Sequence, residues 1–293
     1  PFTCEFCAIT SAHKAKYRAK QIDKIVEDIG NIPQKMLYFA DDNFVSKFSR
    51  TQELCDAIAP LKKKWFSHGT INMANDRKLL KKLQKSGCSN LLIGFESLNE
   101  HTLKQMGKSW AIVKRGYSES LKILRDYGIA VYGTFVFGYD EDSVDDIKKS
   151  LDFAINEKMC LAAFNHLVPY PGTALYSRFL KEGRLIDEKW WLKDGYNFGD
   201  VSFSPKNFTP EELSKSCYDA RMQFYSFSNI IKRTEFMANC KDPFLNPFQT
   251  FAFMSANIIS QKGIKQRQSW PIGNIIDNYG DAIYFSLLIH SLH

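Results

Sequence analysis

The chain has 293 residues, enough for one α/β barrel with an extension or for two average domains, so a substantial buried core is expected. Apolar residues make up 44% and charged residues 24%, with only 16 glycines and 10 prolines, which excludes a disordered, collagenous or disulfide-framework chain. The net charge of +7 comes largely from Lys14-Ala15-Lys16-Tyr17-Arg18, Lys62-Lys63-Lys64 and Arg77 to Lys85, on helix-like stretches that read as solvated faces, so a nucleic-acid partner is not expected.

The first residues, Pro1-Phe2-Thr3-Cys4, contain no basic segment followed by an apolar one, and no apolar run reaches the roughly 18–20 residues that cross a bilayer. No transmembrane segment is expected. A start on Pro, two residues before a cysteine pair, suggests a piece of something longer. Seven cysteines are an odd number, and Cys55, Cys88, Cys160, Cys217 and Cys240 are scattered through periodic segments. That usage points to a reducing, cytoplasmic compartment in which paired thiols bind metal or do redox work.

Along the chain, short apolar runs alternate with amphipathic helices. Strands are predicted at Met36–Ala40, Trp65–Ile71, Leu91–Phe95, Ile129–Phe137 and Leu161–Val168, with starts 29, 26, 38 and 32 residues apart. Those intervals suit βα units and are too long for hairpins. Leu91–Phe95 and Ile129–Phe137 are nearly unbroken apolar runs, as expected for strands buried on both faces. Val144, Ile147, Leu151, Ala154 and Ile155 mark one helix face, opened by Ser143 with Asp146 three residues on. Gly30, Gly87 and Gly128 stand where a helix end needs positive φ.

The regular pattern stops near Gly183. Residues 190–205 read as a loop or short β-extension, and Thr209-Pro210-Glu211-Glu212 opens a helix in the favoured cap order. Helices are predicted over roughly 210–239, 246–262 and 272–290. The fold class is α/β: a partial (βα)6 TIM-like barrel of parallel strands, its first strand expected before Pro1, with a helical C-terminal extension. The divisions are 1–185 for the barrel, 186–205 for the connection and 206–293 for the helical domain.

Cys4-Glu5-Phe6-Cys7 is the sharpest local signal, because thiolates at i and i+3 can ligate one metal or one cluster. Zinc needs a second ligand pair, and only His13 stands nearby. A thioredoxin-type dithiol needs a preceding strand and a following helix in a much shorter fold. Two unligated thiols are the remaining alternative.

Pro-Phe-Thr-Cys-Glu-Phe-Cys resembles the second half of the Cys-x3-Cys-x2-Cys loop of the radical S-adenosylmethionine superfamily, including the aromatic residue before the last cysteine. The similarity continues in order. Tyr38-Phe39-Ala40-Asp41-Asp42-Asn43-Phe44 is similar to text at the end of the second strand in the cobalamin-dependent branch. Ile93-Gly94-Phe95-Glu96-Ser97, with Leu103, Met106 and Lys108 after it, is similar to the fourth. The run from Gly133 through Gly138 and Asp140 to Asp142 resembles the fifth, and Pro169-Tyr-Pro171-Gly172-Thr173 resembles the segment after the sixth.

The resemblance implies an enzyme in which three thiolates hold a [4Fe–4S] cluster. Cys4 and Cys7 are two of them, and the first family cysteine falls immediately upstream of Pro1. It also implies S-adenosylmethionine, one-electron cleavage to a 5′-deoxyadenosyl radical, and methylation or rearrangement of an unactivated carbon, with cobalamin possible through an N-terminal domain. Asp41, Asp42, Glu96, Asp140 and His166 all fall at strand carboxyl ends, where barrel enzymes keep their working residues.

The expected cofactor-binding residues are Phe6, Asp41, Asp42, Asn43, Glu96, Ser97, Lys108, Gly138 and Asp140. Tyr38 is a further candidate to flank an adenine. Gly94, Gly133 and Gly138 permit either close ligand approach or a tight barrel corner. Lys108 and Arg115 are candidates to meet the cofactor carboxylate or to be surface charges, His166 is a proton carrier or a core histidine, and Asp142 is read as a helix N-cap or a loop-solvating charge. The aromatic stretch Phe244–Phe253 packs against the barrel or lines an apolar pocket. Expected partners are a small-molecule or lipid-like substrate and a one-electron reductant such as ferredoxin or flavodoxin. Two alternatives remain: a tRNA-modifying methylthiotransferase, which shares the cysteine loop, and a non-catalytic barrel used as a scaffold or RNA-binding module.

Overall fold

A computed structural model of the chain describes residues 4–13, 17–238 and 246–267. Five strands form one parallel sheet in chain order: β1 (Met36–Tyr38), β2 (Lys64–Gly69), β3 (Cys88–Glu96), β4 (Ala130–Phe137) and β5 (Leu161–His166). Parallel neighbours require crossovers, and helices occupy them. The helices are α1 (Ala8–His13), α2 (Ile22–Gly30), α3 (Phe48–Ile58), α4 (Arg77–Ser86), α5 (Glu100–Gln105), α6 (Tyr117–Asp126), α7 (Val144–Asn156) and α8 (Ala174–Lys181), followed by α9 (Pro210–Phe224), α10 (Phe227–Ala238) and α11 (Asn246–Arg267). This is a partial barrel with helices outside.

The core lies between sheet and helices. Leu91, Ile93, Phe95, Phe135, Phe137 and Phe164 are buried on that side. Phe95 stacks on Phe135 at 5.6 Å and Phe135 on Phe164 at 5.3 Å, so one aromatic row runs across three strands. The opposite, inner face differs from the expectation of strands buried on both sides. Tyr132, Thr134 and Val136 alternate with buried neighbours and are only half-buried, and Asn165 is exposed. Among the described residues no second layer covers this face evenly; Phe253 and Met254 of α11 pack near its amino end, against Ala130, Tyr132 and Leu161.

Local caps explain most boundaries. Ser143 and Asp146 form a reciprocal capping box, as do Thr209 and Glu212 with Pro210 in the first turn. Gly87 has φ +96°, and a Cβ there would come 2.0 Å from the Lys63 carbonyl oxygen. Gly30 does not have positive φ: it is the last helical residue of α2, and the cap is Asn31 in a right-handed conformation. Residues 190–205 form a short 3-10 turn, Trp190–Leu192, and a single antiparallel bridge joins Leu185 to Phe203.

The helix expected over 210–239 is two. The break falls at Tyr225-Ser226, where the Tyr225 hydroxyl donates to the Ala162 carbonyl at 2.9 Å and accepts the Ala162 N–H at 3.2 Å, pinning α9 to β5. The expected helix 272–290 lies outside the described residues, as do Phe244 and Leu245 of the aromatic stretch; the rest of that stretch opens α11, where Phe253 is buried against the barrel and Phe251 is exposed.

Arg233 on α10 is fully buried and has no carboxylate partner among the described residues. Its guanidinium donates to the carbonyls of Asn229, Met159, Cys160 and Phe224 and to Asn257 Oδ1, and lies 3.7 Å over the Phe224 ring. It therefore ties the chain entering β5 to α9, α10 and α11. Arg233→Leu leaves those acceptors buried and unpaired, and a loss of about 3 kcal/mol in urea unfolding is expected. An unchanged midpoint would show that the brace contributes nothing.

Candidate functional site

Parallel strands present all their carboxyl ends on one rim, and the cysteine loop docks there. The Glu5 N–H donates to the Met106 carbonyl at 3.0 Å, and the Leu175 N–H donates to the Glu5 carbonyl at 3.1 Å, so the segment after α5 and the start of α8 grip the loop from two sides. The Cys7 N–H closes a turn on the Cys4 carbonyl at 3.2 Å, and the Thr10 N–H points at Cys7 Sγ at 3.4 Å. Phe6 meets Tyr139 edge-on at 6.5 Å.

Cys4 is surrounded by residues from after β3. Burial pushes its thiol pKa up; Lys108 opposes this, Cys7 and Glu96 add to it, and the nearby Trp110 indole works against the rise. Glu96 ends β3 with φ +61°, at a register shift following Gly94. Lys108 Nζ donates to Glu96 Oε1 at 2.5 Å and to the Gly94 carbonyl at 2.8 Å; the two side chains are only 8% and 11% exposed. A Cβ at Gly94 would stand 2.2 Å from Glu96 Oε1 and 2.9 Å from Lys108 Nζ. The missing side chain at Gly94 thus makes room for this ion pair. Lys108 is no surface charge, whereas Arg115 is: it makes a long, solvent-facing pair with Glu119.

Asp41, Asp42 and Asn43 follow β1 on the same rim. Asp41 is exposed at the rim, and partial desolvation by its surroundings raises its pKa, with Asp42 adding to the rise and Arg50 opposing it. Both polar atoms of the Asn43 amide are buried without a hydrogen-bond partner. Tyr38, Asp41 and Asn43 line a cavity of about 600 Å3 beside β1. Tyr38 O–H lies 3.0 Å from His68 Nε2, and its pKa is raised by burial and by Asp42 and Asp41. A second cavity of about 550 Å3, between residues 186–202 and α9, contains none of the expected site residues.

Other expected residues are occupied by their own chain. Asp140 receives Arg184 at 2.6 Å, Lys206 at 2.8 Å and Arg178 at 3.4 Å; burial opposes its ionisation, but these cations outweigh burial and bring its pKa down to about 2. The Gly138 N–H donates to Asp142 Oδ2 at 3.0 Å, and a Cβ on Gly138 would meet Leu213 and Phe203 at 2.8 and 2.9 Å. At Gly133 the space is filled by Met159. Ser97 is buried and its hydroxyl accepts the Asn99 N–H at 3.0 Å.

Asp142 is not the N-cap, a role Ser143 fills. It is fully buried, accepting the N–H groups of Gly138 and Tyr139 and the Thr102 hydroxyl, with burial pushing its pKa up to about 6 against those bonds. His166 lies on the helix side of β5, its Nδ1 3.1 Å from the Leu167 carbonyl oxygen; burial lowers its pKa, so it reads as a core histidine.

The radical SAM superfamily model matches residues 1–154, more than half of the chain, and the chain belongs to that superfamily. Among relatives, a bacteriochlorophyllide d C-12(1)-methyltransferase of Chlorobaculum tepidum is 27% identical over 241 residues, covering 80% of this chain and 52% of the relative. A hopanoid C-2 methylase of Rhodopseudomonas palustris is 24% identical over 198 residues, covering 64% and 37%. This chain spans about half the length of such relatives or less. Among solved structures, the radical S-adenosylmethionine methyltransferase TsrM of Kitasatospora setae, with cobalamin and a [4Fe–4S] cluster bound, matches with TM-score 0.58 at 11% identity, over 90% of this chain and 59% of that one. The cobalamin-dependent S-adenosylmethionine radical enzyme OxsB matches with TM-score 0.56 at 15% identity, over 98% and 48%. These structures share the fold. No helix among the described residues is long and apolar enough to cross a membrane.

Sequence reading missed Glu5, Trp110, Tyr139, Arg178 and His68. Glu5 sits inside the cysteine motif and Trp110 two residues after Lys108, so proximity was a usable signal. Arg178 is 173 residues from Glu5, and nothing in its neighbourhood marked it.

Two outcomes follow from these charges. Lys108→Met strands a buried carboxylate and is expected to cost about 3 kcal/mol in urea unfolding, with much of the loss recovered in the Glu96→Gln/Lys108→Met double variant; strictly additive losses would show that the two do not couple. Asp140 has a folded pKa below its ordinary 3.8, so its pairing contributes stability above that value that is lost as pH falls from about 4 toward 2. The stability gap between wild type and Asp140→Asn should therefore narrow across that window in acid titrations followed by circular dichroism.

Proposed function

We propose that this chain is the barrel portion of a radical S-adenosylmethionine enzyme that methylates an unactivated carbon of a small-molecule or lipid-like substrate, in the manner of the cobalamin-dependent branch. The observation that carries the reading is the placement of Cys4 and Cys7 on the carboxyl rim beside Glu96 and Lys108. Cys4 and Cys7 supply two thiolates of a [4Fe–4S] site, and the third comes from the position four residues before Cys4, outside this sequence. The relatives named as methyltransferases and methylases support the reaction class.

When bound, such a cluster supplies one electron to the sulfonium of S-adenosylmethionine and so a 5′-deoxyadenosyl radical. The chain's own contribution is orientation and exclusion of water. Asp41, exposed at the rim, and the unpartnered amide of Asn43 are suited to hydrogen-bond ribose hydroxyls or the ammonium group. The Glu96–Lys108 pair, closed on itself, shapes the rim beside Cys4 without adding net charge to it. Phe6, packed against Tyr139, offers an apolar edge to an adenine. Ser97, Gly138 and Asp140 act at one remove, by shaping the turns and ion pairs beneath these groups. Cobalamin is held by a domain outside this sequence, and the electron comes from a small carrier such as ferredoxin or flavodoxin.

The test is anaerobic reconstitution of the longer protein carrying this chain with iron and sulfide. Reduced protein should form 5′-deoxyadenosine from S-adenosylmethionine, and Cys7→Ala should abolish both the cluster absorbance and that product. Wild-type protein that binds no cluster and cleaves no S-adenosylmethionine ends the reading.

A further inference from the structure

Glu5 lies between the two cysteines and is only 18% exposed. Arg178 of α8 grips it at two points, Nε to Oε1 at 2.7 Å and Nη2 to Oε2 at 3.2 Å, and the Tyr139 hydroxyl reaches Oε2 at 3.4 Å. The same guanidinium continues to Asp140 and Glu182, each at 3.4 Å from Nη1. Arg184 joins Asp140 and Glu182, and Lys206 closes on Asp140. Three carboxylates and three cations therefore balance in one connected network that begins inside the cysteine motif, passes through the buried Asp140–Arg184 pair and reaches solvent at Glu182 and Lys206.

We propose that Arg178 is a positioning residue for the cysteine loop: its fork holds Glu5 so that Cys4 and Cys7 keep one orientation, and its charge keeps the network neutral beside the metal site, which sets the reduction potential of the bound cluster. A planar two-point grip fixes direction as well as distance, which a lysine cannot reproduce. A partly buried charge next to a redox centre acts through a lower effective dielectric than water, so one uncompensated carboxylate disfavours adding an electron. This inference rests on the cluster-binding reading above.

The experiment uses the longer protein reconstituted with iron and sulfide, read by redox titration followed by electron paramagnetic resonance and by the rate at which a chelator removes iron. Arg178→Gln should make the cluster harder to reduce by roughly tenfold in equilibrium constant, about 59 mV for one electron, and should lose iron several-fold faster. Arg178→Lys should keep the wild-type potential while losing iron at an intermediate rate, separating charge from geometry. Glu5→Gln, which leaves the backbone anchors in place, should shift the potential in the opposite direction and serves if the Arg178 variants do not fold. Wild-type potential and iron-loss rate in both Arg178→Gln and Glu5→Gln overturn the inference, as does a fall in melting temperature with both readouts unchanged. Absence of a cluster in the wild-type protein overturns instead the reading on which it rests.

Discussion

The constraint on which the rest depends is that every strand runs the same way. A parallel sheet built from successive crossovers collects all carboxyl strand ends on one rim, so residues scattered from position 4 to position 184 meet there without any local signal linking them. Met106 and Leu175, gripping the loop through backbone hydrogen bonds, follow different strands and are 69 residues apart, yet act on one residue, Glu5. Anchoring through main-chain groups leaves the side chains of the loop available for other work.

Charge on the rim is arranged in two closed systems. The first is the Glu96–Lys108 pair, which uses the missing Cβ of Gly94 for its space. The second runs from Glu5 through Arg178 to Asp140 and Arg184. Each balances internally, as desolvated charges must if they are not to cost more than they contribute. The open chemistry is on the β1 side, where the Asn43 amide has no partner and Asp41 is lifted in pKa. The contrast separates groups that shape the rim from groups suited to meet a ligand.

The helical extension shapes the rim from the outside. Leu213 and Phe203 fill the space that Gly138 leaves, and Lys206 completes the shell of Asp140. Phe224 and Tyr225 pack on β5, whose outer face also carries His166. The β4 and β5 ends are thus as much products of residues 200–225 as of the strands themselves.

Sequence alone determined the fold class, five strands to within a few residues, the caps at Ser143 and Thr209, and the family. These are legible because apolar period, cap chemistry and motif spacing are local properties of the chain. It also marked Cys4, Cys7, Glu96 and Lys108 as candidates through their neighbours along the chain, and the structure brings the four together. Only the tertiary structure decided that Asp140 serves a salt-bridge network, that Asp142 braces a turn rather than capping a helix, that His166 faces the core, and that Arg178 holds the cysteine loop. Asp140 and Arg178 are paired across distant segments, and Asp142 is closed in by Thr102 as well as by its own turn; burial and pairing of this kind are settled between residues brought together by the sheet and cannot be read from the neighbours alone.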